Sequence, residues 1–216
     1  FIGLFYNKYS LLFLIILVSF ISFYEFSNLV KKIWNKDKLT KLLINFIIFI
    51  YLIIFSYLCF QIGFYEKIIF LFFLSICFFS DIGGYVIGKT IAGKKLTKIS
   101  PNKTISGSVG SFLFSLIPLW LFNSFFEFGN ITYLIQMILF CLFLSFISQA
   151  GDIFVSSFKR KAKVKDTGKI LPGHGGLLDR IDGVLFAIPF ASIIYKLIFS
   201  LLKKKFVFLA LLDLLE

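Results

Sequence analysis

An all-α, polytopic transmembrane helical bundle with charged cytoplasmic loops is the fold class this sequence predicts, and three observations carry that expectation. Apolar residues fill 59% of the 216 positions and charged residues only 16%, which leaves too little polar surface for a water-soluble domain of this size. The apolar residues gather in runs near the roughly 20 residues that a helix needs to cross the hydrocarbon core. Basic residues gather in alternate connections between those runs. Lys outnumbers Arg 21 to 2 and Phe reaches 32, the mark of an AT-rich genome, so most Phe are expected to be lipid-facing filler rather than a recognition surface.

Spanning segments are expected at 10–26, 42–60, 68–88, 108–126, 131–150 and 183–202. The first two belong to an N-terminal part, 1–66, with general membrane character only. The third continues from an apolar run into Ser80, Asp81, Gly83, Gly84, Gly88 and Lys89 with no loop signal, which puts Asp81 near or inside the membrane edge. An intramembrane carboxylate is a functional candidate, since burying it unpaired costs at least ~2.5 kcal/mol, although a helix-end Asp at the interface satisfies the same pattern. The connections 27–41, 89–107 and 151–182 hold 17 of the 23 Lys and Arg, so the positive-inside rule makes them cytoplasmic. Lys203, Lys204 and Lys205 break that alternation, and 203–216 reads as a basic and apolar tail that suits an interfacial helix. Cys59, Cys77 and Cys141 lie in apolar runs and are odd in number, so no disulfide or zinc site is expected. The sequence begins at Phe1 rather than Met, and no cleavable signal peptide is argued from it.

The chemistry gathers in 151–182, which packs Asp152, Asp166, Asp179 and Asp182 with seven Lys and Arg and the turn Pro172, Gly173, His174, Gly175, Gly176. Asp179 and Asp182 stand three apart at the expected start of a helix and so share a face. With Asp152 from the preceding span they make an oxygen-rich set suited to Mg²⁺ and phosphate. Surface ion pairing among Asp179, Arg180 and Asp182 accounts equally well for the spacing. Lys159, Arg160, Lys161, Lys163, Lys165 and Lys169 suit phosphate, and they also suit a juxtamembrane run that attracts anionic lipid. The glycines let backbone N–H groups approach a phosphate, and His174 can serve as a turn element, a phosphate donor or a proton carrier. In 89–107, Lys94, Lys95, Lys98 and Lys103 alternate with Ser100, Thr104, Ser106 and Gly107, a second stretch of cations and hydroxyls fit for a polyphosphate. Nothing in either loop reads bases, so nucleic acid is not an expected partner.

At these residues the chain resembles the phosphatidate cytidylyltransferase (CDP-diacylglycerol synthase) family. Ser156, Lys159, Arg160, Lys165, Asp166, Gly168, Pro172, His174, Gly175, Gly176, Asp179, Arg180 and Asp182 fill every fixed place of its C-terminal signature. Gly151 and Asp152 resemble the Gly-Asp ahead of it, residues 81–88 resemble its Asp-x-Gly-Ala-Tyr-x-x-Gly segment, and Ser100, Pro101, Lys103, Thr104 and Gly107 resemble its Ser-Pro-Lys-Lys-Thr-Trp-Glu-Gly stretch. Ile105, Ser106 and Gly84 depart from that pattern. The resemblance covers about 75–190 and implies a multi-span membrane nucleotidyltransferase, with its catalytic part at 67–202, that joins CTP and phosphatidic acid into CDP-diacylglycerol and pyrophosphate for phospholipid synthesis. It further implies Mg²⁺, with K⁺ as a second cation, and a homodimer facing the cytoplasm from a bacterial inner membrane. Carried over by position, Asp152, Asp179 and Asp182 hold metal, and Lys159, Arg160, Lys165, Asp166 and Arg180 join them in the catalytic set. Asp81, Lys103, Thr104, Ser156, Gly173, His174, Gly175 and Gly176 contact substrate. A CTP-dependent kinase of the polyprenol or phytol type and a membrane transporter are the alternatives. Nearly charge-free spans, apart from Asp81 and Lys196, argue against the transporter.

Overall fold

The computed structural model describes residues 7–97, 99–100, 103–126, 131–170 and 175–212, the side chains of Ser124, Phe126 and 198–212 excepted. Among the described residues there are eight helices and no strand beyond one isolated bridge between Lys95 and Thr104. Helix α1 (Lys8–Ile33) starts where the Asn7 side chain accepts from the Tyr9 N–H at 3.2 Å, and α2 (Lys38–Tyr65) where Asp37 accepts from the Thr40 N–H at 3.1 Å. Each side chain satisfies an N–H that the first helical turn leaves without a partner. Helix α3 (Lys67–Thr90) runs unbroken through Asp81, as the missing loop signal predicts. Together with α7 (Ile131–Lys161), these helices are long and apolar enough to cross a bilayer, and the chain is an integral membrane protein.

The fourth expected span, 108–126, is not one helix. It divides into α4 (Ile105–Phe114), α5 (Ile117–Leu121) and α6 (Asn123–Phe126). Pro118, in the first turn of α5, has no N–H to return to the Phe114 carbonyl, and the chain turns at Ser115 and Leu116 instead. Hydropathy over a window of this length does not register one missing donor. Helix α8 (Leu178–Leu212) covers the expected span at 183–202 and continues to Leu212, so 203–212 prolongs that helix; 213–216 lie outside the described residues.

The core lies where α3, α7 and α8 meet, around Phe72, Phe73, Ile76, Leu144, Leu185 and Ile188, each under 2% exposed. Phe13 and Phe20 on α1, Phe46 on α2 and Phe146 on α7 point outward, as filler should, whereas Phe72 and Phe73 show that the Phe excess also builds the interior. Cys59, Cys77 and Cys141 are buried and unbridged. Helix α8 carries Pro189 in its interior, which deprives the Leu185 carbonyl of its usual donor. The Tyr51 hydroxyl of α2 donates to that carbonyl at 2.9 Å, the kind of repair a membrane helix needs where water cannot supply it. Tyr51→Phe is therefore expected to lower stability in detergent by about 1 kcal/mol, and Tyr51→Phe placed on Pro189→Ala by clearly less, read from thermal unfolding of the four proteins.

Candidate functional site

Two close helix crossings assemble the polar end of the bundle. Gly83 and Gly84 of α3 face Gly110 and Gly107 of α4: a Cβ on Gly110 would stand 2.6 Å from the Gly83 carbonyl oxygen, and one on Gly107 2.8 Å from that of Gly84. Small residues let two backbones touch where the hydrophobic effect cannot drive helices together. Gly107, in the stretch expected to suit a polyphosphate, is thus packed against α3. The Ser108 hydroxyl donates to Gln149 at 2.6 Å and Ser80 pairs with Ser145 at 2.8 Å, which ties both helices to α7. At the second crossing a Cβ on Gly151 of α7 would stand 2.9 Å from the Asp182 carbonyl oxygen of α8.

That second contact brings Asp152 and Asp182 together. Their carboxylates are near enough to repel one another, and Asp182 is only 8% exposed. Lys103, from the connection between α3 and α4, forms an ion pair with Asp152, and Asp81 lies within electrostatic reach of both. Asp81 is exposed, on the α3 flank of the same cluster. Two carboxylates held against their mutual repulsion, with a lysine alongside, form a centre that a cation stabilises.

Asp179 has a different setting. Its Oδ1 accepts from the Lys159 ammonium at 2.7 Å, and its Oδ2 accepts from the backbone N–H groups of Thr167 at 2.8 Å and Gly176 at 3.1 Å, with the Thr167 hydroxyl at 3.0 Å. Asp179 precedes the apolar part of α8. Burial opposes its ionisation, but the Lys159 ammonium and the N–H donors outweigh it and hold the carboxyl below the usual carboxylate range. One oxygen is thus taken by Lys159 at the end of α7 and the other by Thr167 and Gly176 of the 162–177 connection. Among the described residues no group of three or more His, Cys, Asp or Glu side chains converges as a metal cage.

The other expected site residues divide between these settings. Arg160 is exposed and donates from Nε to the Ile99 carbonyl at 3.1 Å, fastening the second basic connection to the end of α7. Thr104 caps α4 by accepting from the Gly107 N–H at 3.0 Å. Ser156 is buried on α7; Lys165, Asp166 and Arg180 are exposed. Gly175, at φ +86°, holds the left-handed turn that leads into α8. Gly173 and His174, with Pro101 and Pro172, lie outside the described residues. Lys163 is exposed and takes φ +54° just after α7. Lys163→Ala should leave turnover within about twofold of wild type, since surface changes away from such contacts are small; a loss as deep as that of Lys159→Ala would place Lys163 in the site.

Sequence reasoning passed over Glu25. It lies on α1 inside an expected span, it is fully buried, and its carboxylate meets the 162–177 connection. A carboxylate in an otherwise uncharged apolar run was the available signal.

Comparison with known proteins adds an independent line. A profile described as "Cytidylyltransferase family" matches residues 35–198. The chain is 41% identical over 125 residues to a phosphatidate cytidylyltransferase of Staphylococcus saprophyticus, covering 57% of this chain and 47% of that protein. It is 45% identical over 112 residues to that of Bacillus subtilis, covering 51% and 41%, and 42% identical over 120 residues to that of Staphylococcus aureus, covering 55% and 45%. The aligned stretch spans less than half the length of each of these relatives.

Proposed function

Because the chain belongs to the cytidylyltransferase family, we propose that it transfers the cytidylyl group of CTP to phosphatidic acid, releasing pyrophosphate. The observation that carries the reading is the Asp152–Asp182 pair, set beside Lys103 and one turn of α8 away from the Lys159–Asp179 pair. Its donor chemistry fits Mg²⁺, which typically takes one or two protein carboxylates and fills its remaining positions with substrate phosphate and water. Asp152 and Asp182 would hold the ion, with Asp81 nearby, while Asp179 is engaged by protein donors. When bound, the ion neutralises phosphate charge. K⁺ as a second cation rests on the family resemblance alone, as does a homodimer.

In the reaction a phosphatidate oxygen attacks the α-phosphorus of CTP, the new P–O bond forms, and the bond to the bridging oxygen breaks so that pyrophosphate leaves with the electron pair. Phosphatidate is already an anion, so no strong base is required. The obstacle is the approach of two polyanions. Lys103 and Lys159, each now paired with a carboxylate, and the exposed Lys165 and Arg180 offset that repulsion and orient the phosphates for in-line attack. The three basic connections meet at this end of the bundle, through Arg160 on Ile99, Lys103 on Asp152 and Trp34 against Phe158, which supports a cytoplasmic face for the site.

The test is incubation of the purified chain in detergent with phosphatidic acid, Mg²⁺ and CTP labelled at the α-phosphate. Label in the lipid fraction supports the proposal. Phosphorylated lipid formed only from γ-labelled CTP would assign the chain to the kinase alternative.

A further inference from the structure

A helix start normally finds its cap in the side chain of the preceding residue, but the residue before α8 is Leu177, whose side chain has no acceptor to offer. The cap comes instead from α1. Glu25, 0% exposed, accepts from the backbone N–H of Leu177 at 3.1 Å with Oε1 and from that of Leu178 at 2.8 Å with Oε2. The same Oε2 accepts from the Thr167 hydroxyl at 2.9 Å. Thr167 has a single hydroxyl proton and also lies 3.0 Å from Asp179, so it bridges the two carboxylates. A Cβ on Gly176 would stand 2.7 Å from Glu25 Oε1, and one on Gly168 would meet the same oxygen, so both ends of the connection close over the Glu25 head group.

We propose that Glu25 is a positioning residue for the cytidylyl-transfer site: from the first helix it caps α8 and pins the 162–177 connection, and so holds Asp182 against Asp152. The first turn of α8 carries Asp179, and Asp182 follows within the next turn. A carboxylate aimed at the orphan N–H groups of a helix start also meets the positive end of the helix dipole. Without it, the first turn loses its acceptor, Thr167 loses one of its two partners, and the loop opens. Asp182 then leaves the geometry that the Gly151 crossing sets. Glu25 lies ten residues before the matched stretch 35–198, so the family correspondence assigns it nothing. This inference rests on the reading above for its catalytic half and on geometry alone for its anchoring half.

The experiment compares wild type, Glu25→Gln and Thr167→Val as full chains in detergent. Gln keeps the size of Glu25 but sets an N–H₂ against N–H or hydroxyl donors. Three quantities are read: the rate of trypsin cleavage after Lys163, Lys165 and Lys169, the α-label turnover, and the Mg²⁺ concentration for half-maximal rate. For Glu25→Gln, cleavage about tenfold faster, turnover about 10- to 100-fold lower and a raised Mg²⁺ requirement are expected. Thr167→Val should shift all three in the same direction by less, and it decides the matter if Glu25→Gln does not fold. Wild-type cleavage, or faster cleavage with unchanged turnover and Mg²⁺ requirement, overturns the proposal. Should wild type transfer no label, the cytidylyl reading fails by itself; the trypsin rates then still uphold or overturn the anchor.

Discussion

Asp182→Asn should reduce α-label transfer by about 10²- to 10³-fold, the scale on which losing one charge-stabilising group at a reacting centre is felt. The substitution preserves shape, and Asp182 is buried, so packing around α8 survives. What disappears is one of two facing carboxyl groups. Because burial and the neighbouring Asp152 disfavour the charged form of Asp182 in the protein without a cation, the variant's thermal transition in Mg²⁺-free detergent should be no lower than that of wild type. Wild type should gain stability on adding Mg²⁺, and Asp182→Asn should lose most of that gain. A variant that keeps near-normal turnover, or is stabilised by Mg²⁺ as much as wild type, would remove the Asp152–Asp182 pair from the metal assignment.

Asp179→Asn is expected to cost about 10²-fold in turnover as well, by another route that a second readout exposes. The amide can satisfy only part of the donor set: either the Lys159 ammonium or the N–H groups of Thr167 and Gly176 then face an N–H₂ group instead of an oxygen. Opening of the 162–177 connection follows, with trypsin cleavage about tenfold faster than in wild type. Asp182→Asn should leave that cleavage unchanged. If Asp179→Asn loses turnover while the connection stays as protected as in wild type, Asp179 is a ligand of the ion, as the resemblance implies, rather than an anchor of the loop.

The membrane character, most helices and the polar end were legible in the amino-acid sequence because each depends on local quantities. A run of about 20 apolar residues specifies a spanning helix wherever it packs, and the 151–182 signature names its family from residue order alone. Uninterrupted apolarity carried α3 through Asp81, and this was readable too. Partnerships were not. Pro118 breaks 108–126 by one absent hydrogen bond, whereas Pro189 is tolerated because Tyr51 on another helix takes its place. Whether a proline ends a helix thus depended on what stood opposite. Asp152, Asp179 and Asp182 look alike in sequence, yet the Gly151 crossing sets two of them face to face while Lys159, Thr167 and Gly176 claim the third. Glu25, a lone carboxylate in an apolar run, found its purpose 152 residues away at Leu177. Sequence order determined which elements form and which chemistry they carry. The tertiary structure alone decided which carboxylates face each other and which is held by backbone N–H groups, because hydrogen bonds and charges act over a few ångströms that only packed helices define.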